Sequence, residues 1–210
     1  MLFTIQRLSQ GVAQDNLNKE KLSNIKFLFP ELAEQKKIAS FLTEVDKKIS
    51  QLKNKKILLQ EYKKGMMQQI FSQELRFKDV NGNNYPDWEE KKLGDVFYVS
   101  AGGDIKKDNV KKSLTDIFKY PIYANSEKSK GLYGYSDIFK IDYKCVTVTG
   151  RGSLGIANAR YNKFYPIVRL LVLKPKLNLN VSFFENTINQ LRIFSESTGV
   201  PQLTAPQISS

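Results

Sequence analysis

A glycine-rich turn after a strand-like segment holds the side chains best suited to bind a phosphate or a base edge. The three glycines of residues 150–155 follow the strand-like run 145–149 and spell G-x-G-x-x-G, the letters of a dinucleotide-binding fingerprint. That fingerprint requires a following helix and an acidic residue about 20 positions further on. Residues 156–166 have no helical apolar stripe, and no Asp or Glu lies at that distance. Dinucleotide binding is therefore rejected, but the turn still presents the Arg151 guanidinium and the Ser153 hydroxyl to a phosphate or a guanine edge.

Two further basic stretches could contact the same kind of ligand. Asn125, Lys128 and Lys130 lie among glycines and tyrosines, and Lys106 and Lys107 follow a pair of glycines. Such loops can bind both backbone phosphates and bases, with arginine favouring guanine and lysine favouring phosphate. The alternative for the Asn125 stretch is an ordinary solvated hairpin loop with its tyrosines packed beneath it.

Residue types exclude most catalytic sites. The chain has no histidine, which removes Ser/His/Asp and Cys/His catalysis and most zinc sites. Its one cysteine, Cys145, cannot form an internal disulfide, and its strand-like surroundings favour a buried apolar role over a nucleophilic one. Glu89 and Glu90 are adjacent and would point to opposite faces of a strand. We expect no catalytic residue, no metal site and no cofactor.

Charge and hydropathy predict the partner and the compartment. The formal net charge is +12 and the isoelectric point about 9.6, which favours nucleic acid or an anionic membrane surface. No apolar run approaches the roughly 20 residues of a membrane span, and the first residues lack the features of a signal peptide. The single cysteine fits a reducing compartment. We expect a cytoplasmic protein that does not bind membranes.

A long amphipathic segment must position these loops. Between residues 32 and 73, apolar side chains recur at heptad spacing along one face: Ile38, Leu42, Val45, Ile49, Leu52, Leu59 and Met66. Such a seam, maintained over several heptads, predicts a coiled-coil helix of about 60 Å. No second long helix is predicted in the chain, so we expect these residues to form a dimer or helix-pairing interface. The lysines between positions 47 and 64 fit either a solvated face or a basic surface near a polyanion.

Three regions follow from these patterns, and together they predict an α+β fold. Residues 1–30, with a short strand at 25–29, are interpreted as the closing segment of a globular domain. Residues 31–75 form the long helix, and residues 76–210 form a mixed, mostly β body with strands near 93–99, 121–124, 145–149 and 167–173 and a helix at 183–194. Residues 197–202 resemble residues 9–14, so the two ends are interpreted as copies of one element.

The helix and body segments resemble one known family. Residues 30–49 are similar to the opening of the spacer helix in specificity subunits of type I restriction–modification systems, and residues 63–77 to the end of that helix. Residues 88–96 resemble the start of a target recognition domain, and residues 150–153 and 199–203 resemble stretches within one. The resemblance covers nearly the whole chain.

This resemblance implies a sequence-specific DNA-recognition subunit without its own catalytic centre. Full-length members carry two target recognition domains and two antiparallel spacer helices, which set the gap between the half-sites of a bipartite target. Partner subunits supply methylation and cleavage. With one spacer helix and one recognition domain body, this chain would be a half-length subunit, a truncated gene product or a rearranged chain. It would bind double-stranded DNA at one half-site, dock a methyltransferase subunit and a restriction subunit, and form a homodimer through its helix.

A function of a different class is also compatible with the sequence. A basic coiled-coil scaffold could bind nucleic acid or protein without sequence preference. The loops around Asn125 and Arg151 favour DNA recognition, because a scaffold has no need of an arginine presented by glycines.

Overall fold

The computed structural model describes residues 19–191 and 202–209, with the side chain of Lys21 left out. The chain forms two compact units, residues 1–64 and residues 65–210. Most of the predicted repeat between residues 9–14 and 197–202 lies outside the described residues. No described helix has the length and apolar character needed to cross a membrane.

The described part of the first unit is mostly helical. Helix α1 spans Lys19–Ser23, and helix α2 spans Leu32–Phe71, so its last seven residues belong to the second unit. Helix α2 confirms the long helix predicted from residue 32 onward. The 40 residues of α2 correspond to about 60 Å. None of them is buried, and the predicted seam is exposed from Ile38 to Leu59, with Leu52 at 55%, whereas Met66 is half-buried. The helix ends before Gln73, whose left-handed φ of 63° stops the α-helical hydrogen-bond pattern.

The strand predicted at residues 25–29 does not form. These residues have no regular secondary structure, and Phe27, Leu28 and Phe29 are 60%, 95% and 76% exposed. A strand needs a neighbouring strand for its backbone hydrogen bonds, and the described part of the first unit contains none. The prediction of a strand was therefore wrong. That residues 1–30 close a recognition domain stays a prediction.

The second unit contains two small sheets. The four-stranded sheet has the order β1-β7-β4-β5 with antiparallel neighbours, and the three-stranded sheet has the order β3-β2-β6 with β2 and β6 parallel. The strands are β1 (Phe97–Ala101), β2 (Tyr120–Tyr123), β3 (Leu132–Ser136), β4 (Cys145–Val148), β5 (Ala157–Arg160), β6 (Tyr165–Pro166) and β7 (Leu171–Pro175). The helices of this unit are α3 (Leu93–Val96), α4 (Val181–Gln190) and α5 (Ala205–Ser209), with 3-10 turns at Lys107–Asn109 and Lys128–Gly131.

The core lies between the four-stranded sheet and these helices. Strand β4 is buried along its whole length, including the polar Thr147, as expected for a central strand of the sheet. Its Val146 and Val148 pack in a cluster with Phe97 of β1 and Ile188 of α4. Leu203, just before α5, joins the same cluster. The residues after position 202 therefore complete the core.

Two predicted strands begin later than expected. Residues 93–96 form α3, and only the second half of the predicted 93–99 strand becomes β1. Asp95 explains the start of this short helix, because its carboxylate accepts a hydrogen bond of 3.1 Å from the Lys92 N–H. The strand predicted from residue 167 begins only at Leu171, because residues 167–170 form a tight turn.

Candidate nucleic-acid interface

The 167–170 turn has an uncommon backbone conformation. Val168 and Arg169 have φ values of 53° and 57°, and the Leu170 N–H donates to the Ile167 carbonyl at 3.1 Å. Two successive left-handed residues inside such a hydrogen bond define a type I′ turn, which normally uses Gly, Asn or Asp. A β-branched residue in this region is a true conformational outlier. The surrounding chain must therefore hold this turn in place.

The loop after β1 supplies part of that support. The Val168 and Arg169 N–H groups donate to the carbonyls of Gly103 and Gly102, each at 3.1 Å. A Cβ atom on Gly102 would lie only 2.7 Å from the Pro166 carbonyl carbon, so this approach requires glycine. The contact places the segment that carries Lys106 and Lys107 beside the turn.

Asn125 connects the same turn to the glycine-rich segment. Its Oδ1 accepts a hydrogen bond of 2.8 Å from the Gly150 N–H, and its Nδ2 donates to the Val168 carbonyl. Both polar atoms of the side chain thus have backbone partners, which gives Asn125 a positioning role. Its predicted contact with DNA stays a prediction.

The 150–155 segment turns back into the sheet. Gly152 and Gly155 have φ values of 68° and 77°, and strand β5 follows, where a dinucleotide site would need a helix. The Thr149 hydroxyl donates to the Ser153 carbonyl inside this turn. The Arg151 guanidinium donates to Gln202 Oε1 at 3.2 Å and is half-buried, whereas Ser153 is exposed.

A buried arginine orders the loop that contains the two predicted lysines. Arg160 of β5 is 6% exposed, and its Nη2 donates to the Lys130 carbonyl at 2.6 Å. Its Nε donates to the Thr147 hydroxyl at 2.9 Å, and its guanidinium carbon lies 3.5 Å from the Tyr123 ring centroid. Burial lowers the pKa of Arg160, while the nearby Tyr123 raises it. The loop bends sharply over this support, and the side chains of Lys128 and Lys130 remain exposed.

A cleft of about 420 Å³ adjoins the 167–170 turn. Lys107, Lys112, Tyr133 and Val168 are among the residues that line it, and Asp104 is the acidic residue in the lining. The Lys112 ammonium lies 3.8 Å from the Tyr133 ring centroid, within the range of a cation–π contact. The basic stretch around residue 107 therefore belongs to the same surface region as Val168.

In the described part of the chain, Arg169 and the five predicted basic residues of this surface form no ion pairs. These five are Arg151, Lys106, Lys107, Lys128 and Lys130. That part of the chain also has no cluster of histidine, cysteine and acidic residues that could hold a metal ion. Cys145 is fully buried, and burial raises the pKa of its thiol to about 12. The site is thus suited to bind a polyanion by hydrogen bonds and charge.

Comparison with known proteins identifies the family. The sequence profile described as type I restriction modification DNA specificity domain matches residues 1–61 and 85–210. The chain belongs to this family. The family predicted by the resemblance of the helix and body segments is thereby confirmed.

Curated relatives of this specificity domain share its sequence over different extents. A putative type I specificity subunit of Mycoplasma pneumoniae is 31% identical over 197 residues, which cover 93% of this chain and 52% of the relative. The specificity subunit of the MjaVIII type I restriction enzyme of Methanocaldococcus jannaschii is 32% identical over 99 residues, covering 45% of this chain and 23% of that protein. The chain spans about half the length of the first of these relatives. Both relatives are named as specificity subunits and not as catalytic subunits.

A solved structure supports the fold of the specificity domain. A chain from a study of complex assembly and conformational transition of the type I R-M system superposes with a TM-score of 0.56. The superposition covers 100% of this chain and 54% of the other, at 13% sequence identity. The predicted α+β fold, with a long helix and a mixed sheet domain, is confirmed.

Sequence reasoning identified some residues of this interface and missed others. The structure brings the predicted Asn125, Arg151 and Lys107 segments together around the 167–170 turn. The turn itself was missed, because it contains no Gly, Asn or Pro to mark it. Arg160 was also missed, and the only available signal was one charged residue in a strand-like run.

Proposed function

We propose that this chain recognises double-stranded DNA at one half-site of a bipartite target, as part of a type I restriction–modification complex. The observation that carries this proposal is the convergence of three loops, each with a basic residue, on the 167–170 turn of a specificity domain. Hydrogen bonds to backbone groups hold these loops in place, and their lysine and arginine side chains provide positive charge. Such a surface combines sequence-independent phosphate binding with base contacts.

In this proposal the lysines and the arginines have different tasks. Exposed Lys106, Lys107, Lys128 and Lys130 neutralise phosphates and add affinity for any duplex. An arginine can form two hydrogen bonds with the O6 and N7 atoms of guanine, which discriminates between bases by about 1–3 kcal/mol. Ser153, exposed on the glycine turn, can bind a phosphate or a base edge.

We further propose that the catalytic work belongs to partner subunits. The chain would dock a methyltransferase subunit and a restriction subunit, and two copies would pair through the exposed seam of α2. Seam residues such as Leu42 at 54% and Leu52 at 55% exposure support pairing, since a row of apolar side chains along a helix is stabilised by a second helix. Pairing would place two recognition domains in one assembly.

Selection from a randomised duplex pool tests this function. The full chain should enrich a defined sequence, and its affinity should fall steeply with salt concentration. Equal binding of every duplex with the same steep salt dependence would contradict the proposal and favour the basic scaffold. That second function is favoured by one observation, the lysine-rich exposed surface of α2.

A further inference from the structure

The proposed function does not by itself say which side chain contacts a base. We infer that Arg169, on the 167–170 turn, binds the major-groove edge of a guanine and is a specificity-determining residue of this domain. The inference rests on the proposed function and deepens it. None of the sequence motifs singled out Arg169.

The three arginines of the site differ in how many of their donors are available. Arg160 is buried and donates to Thr147 and to the Lys130 carbonyl. Arg151 is half-buried and donates to Gln202. Arg169 is exposed, and in the described part of the chain its guanidinium has neither a hydrogen bond nor an ion pair. Only Arg169 therefore offers its whole fork of donors to a ligand.

The backbone beneath Arg169 is held in a conformation that its own residues disfavour. Left-handed non-glycine residues are strained and concentrate at functional sites. Four hydrogen bonds hold this turn. The Val168 and Arg169 N–H groups donate to the Gly103 and Gly102 carbonyls, Asn125 Nδ2 donates to the Val168 carbonyl, and the Leu170 N–H donates to the Ile167 carbonyl across the turn. A fixed backbone reduces the entropy lost when the side chain binds, so the support around the turn favours a ligand contact at Arg169.

Basic residues lie near the turn on two sides, an arrangement suited to binding the phosphates of a DNA duplex. Lys107 and Lys112 line the adjoining cleft with Val168, and Asn125 links the turn to the segment that carries Arg151. Lysines at the margin can bind phosphates while a central arginine reaches into the groove. Asp104 is the acidic residue that lines the same cleft, and the Tyr165 hydroxyl donates to its carbonyl at 3.1 Å. The local balance of charge remains positive.

Two substitutions of the same residue separate base contact from phosphate contact. The wild-type full chain first selects its duplex from a randomised pool, and affinities for that duplex and for a scrambled one are then measured at one salt concentration. Arg169→Ala should lower the ratio of the two affinities by about 5- to 150-fold, the range of one bidentate arginine–guanine contact. Arg169→Lys should lose most of this ratio while keeping the affinity for the scrambled duplex, because lysine keeps the charge but not the fork.

A control variant accounts for the loss of one positive charge. Lys78 is exposed in the same unit and outside the site, so Lys78→Ala should leave the ratio unchanged. A second selection with Arg169→Ala should lose the preference for guanine at one position of the target. Because Arg169 is exposed, neither of its substitutions should alter the thermal unfolding midpoint.

The outcomes distinguish this inference from the function on which it rests. If the wild-type chain enriches no sequence, the proposed function is wrong and the guanine contact falls with it. If the wild-type chain enriches a sequence but Arg169→Lys keeps the wild-type ratio, only the inference about Arg169 is overturned. Equal losses on both duplexes for Arg169→Ala would make Arg169 a phosphate contact, which also overturns it.

Discussion

The side chain of Asn125 binds the backbone of Gly150, 25 residues away in sequence, through a hydrogen bond of 2.8 Å from the Gly150 N–H to Oδ1. The opposite end of the same amide donates to the Val168 carbonyl. One side chain thus joins three loops that approach from three parts of the second unit. Gly150 is buried, so its N–H depends on this partner rather than on water.

Replacing Asn125 by alanine should destabilise the second unit. The change leaves the buried Gly150 N–H without its partner, which costs about 1–3 kcal/mol of the free energy of unfolding. Urea denaturation measures this loss. Asn162→Ala is the matched control, because Asn162 is exposed, and it should change the free energy by less than about 0.5 kcal/mol. Equal effects of the two variants would contradict a positioning role for Asn125.

Arg160→Met should be much more harmful than the same change at Arg76. Both arginines make several hydrogen bonds, but Arg160 is buried, whereas Arg76 is half-buried and pairs with the fully exposed Asp87. Loss of two buried charged hydrogen bonds should cost about 3 kcal/mol or more, while a surface pair contributes at most about 1 kcal/mol. Chemical denaturation of the two variants compares them directly, and similar midpoints would refute the structural role of Arg160.

Val168→Asn should stabilise the second unit. Asparagine tolerates the left-handed conformation that valine adopts here with a φ of 53°, so the strain of about 1 kcal/mol is reduced. The thermal unfolding midpoint should rise by about 3 °C. Val80→Asn serves as the control, since Val80 is fully exposed without a positive φ, and its midpoint should not move. A lower midpoint for Val168→Asn would show that the turn carries no such strain.

The thiol of Cys145 should resist alkylation in the folded protein at pH 8. Burial raises the pKa of Cys145 to about 12, so the thiolate is absent, and the side chain is also inaccessible. The Cys145 thiol loses its proton near pH 9 in the unfolded chain but only near pH 12 in the folded chain. The contribution of this thiol to the free energy of unfolding is therefore complete below pH 9 and decreases between pH 9 and about 12. Cys145→Ala should therefore lose less stability than the wild type over this range. If the free energies of unfolding of the wild type and of Cys145→Ala depend on pH in the same way, the predicted contribution of the thiol is contradicted.

Substitution of the α2 seam should abolish self-association. We expect the wild-type chain to be dimeric at tens of micromolar concentration and Leu52→Glu to be monomeric, because a charge in the seam opposes its burial. Asn54 lies two residues further on, off the seam, so Asn54→Glu adds the same charge without loss of the dimer. Light scattering on the three chains tests this. A wild-type monomer, or equal masses for all three, would rule out pairing through this seam.

The sequence by itself determined the features that depend on nearby residues. The heptad spacing from Ile38 to Met66 predicted α2, since side chains three and four residues apart lie on one face of a helix. The β-branched, strand-like run at 145–149 predicted strand β4. The missing histidine and the excess of lysine and arginine restricted the chemistry without any structure. The motifs of the helix and the body were sufficient to identify the family.

Only the tertiary structure decided how the loops combine. Residues 25–29 have the composition of a strand, but the described part of the first unit offers no strand to pair with, and composition cannot reveal that. The left-handed turn at Val168 and Arg169 exists because Gly102, Gly103 and Asn125, all distant in sequence, satisfy its backbone groups. Local preference opposes that conformation, and long-range hydrogen bonds outweigh it. For the same reason the roles of Asn125, Arg151 and Arg169 became distinct only once their partners were known.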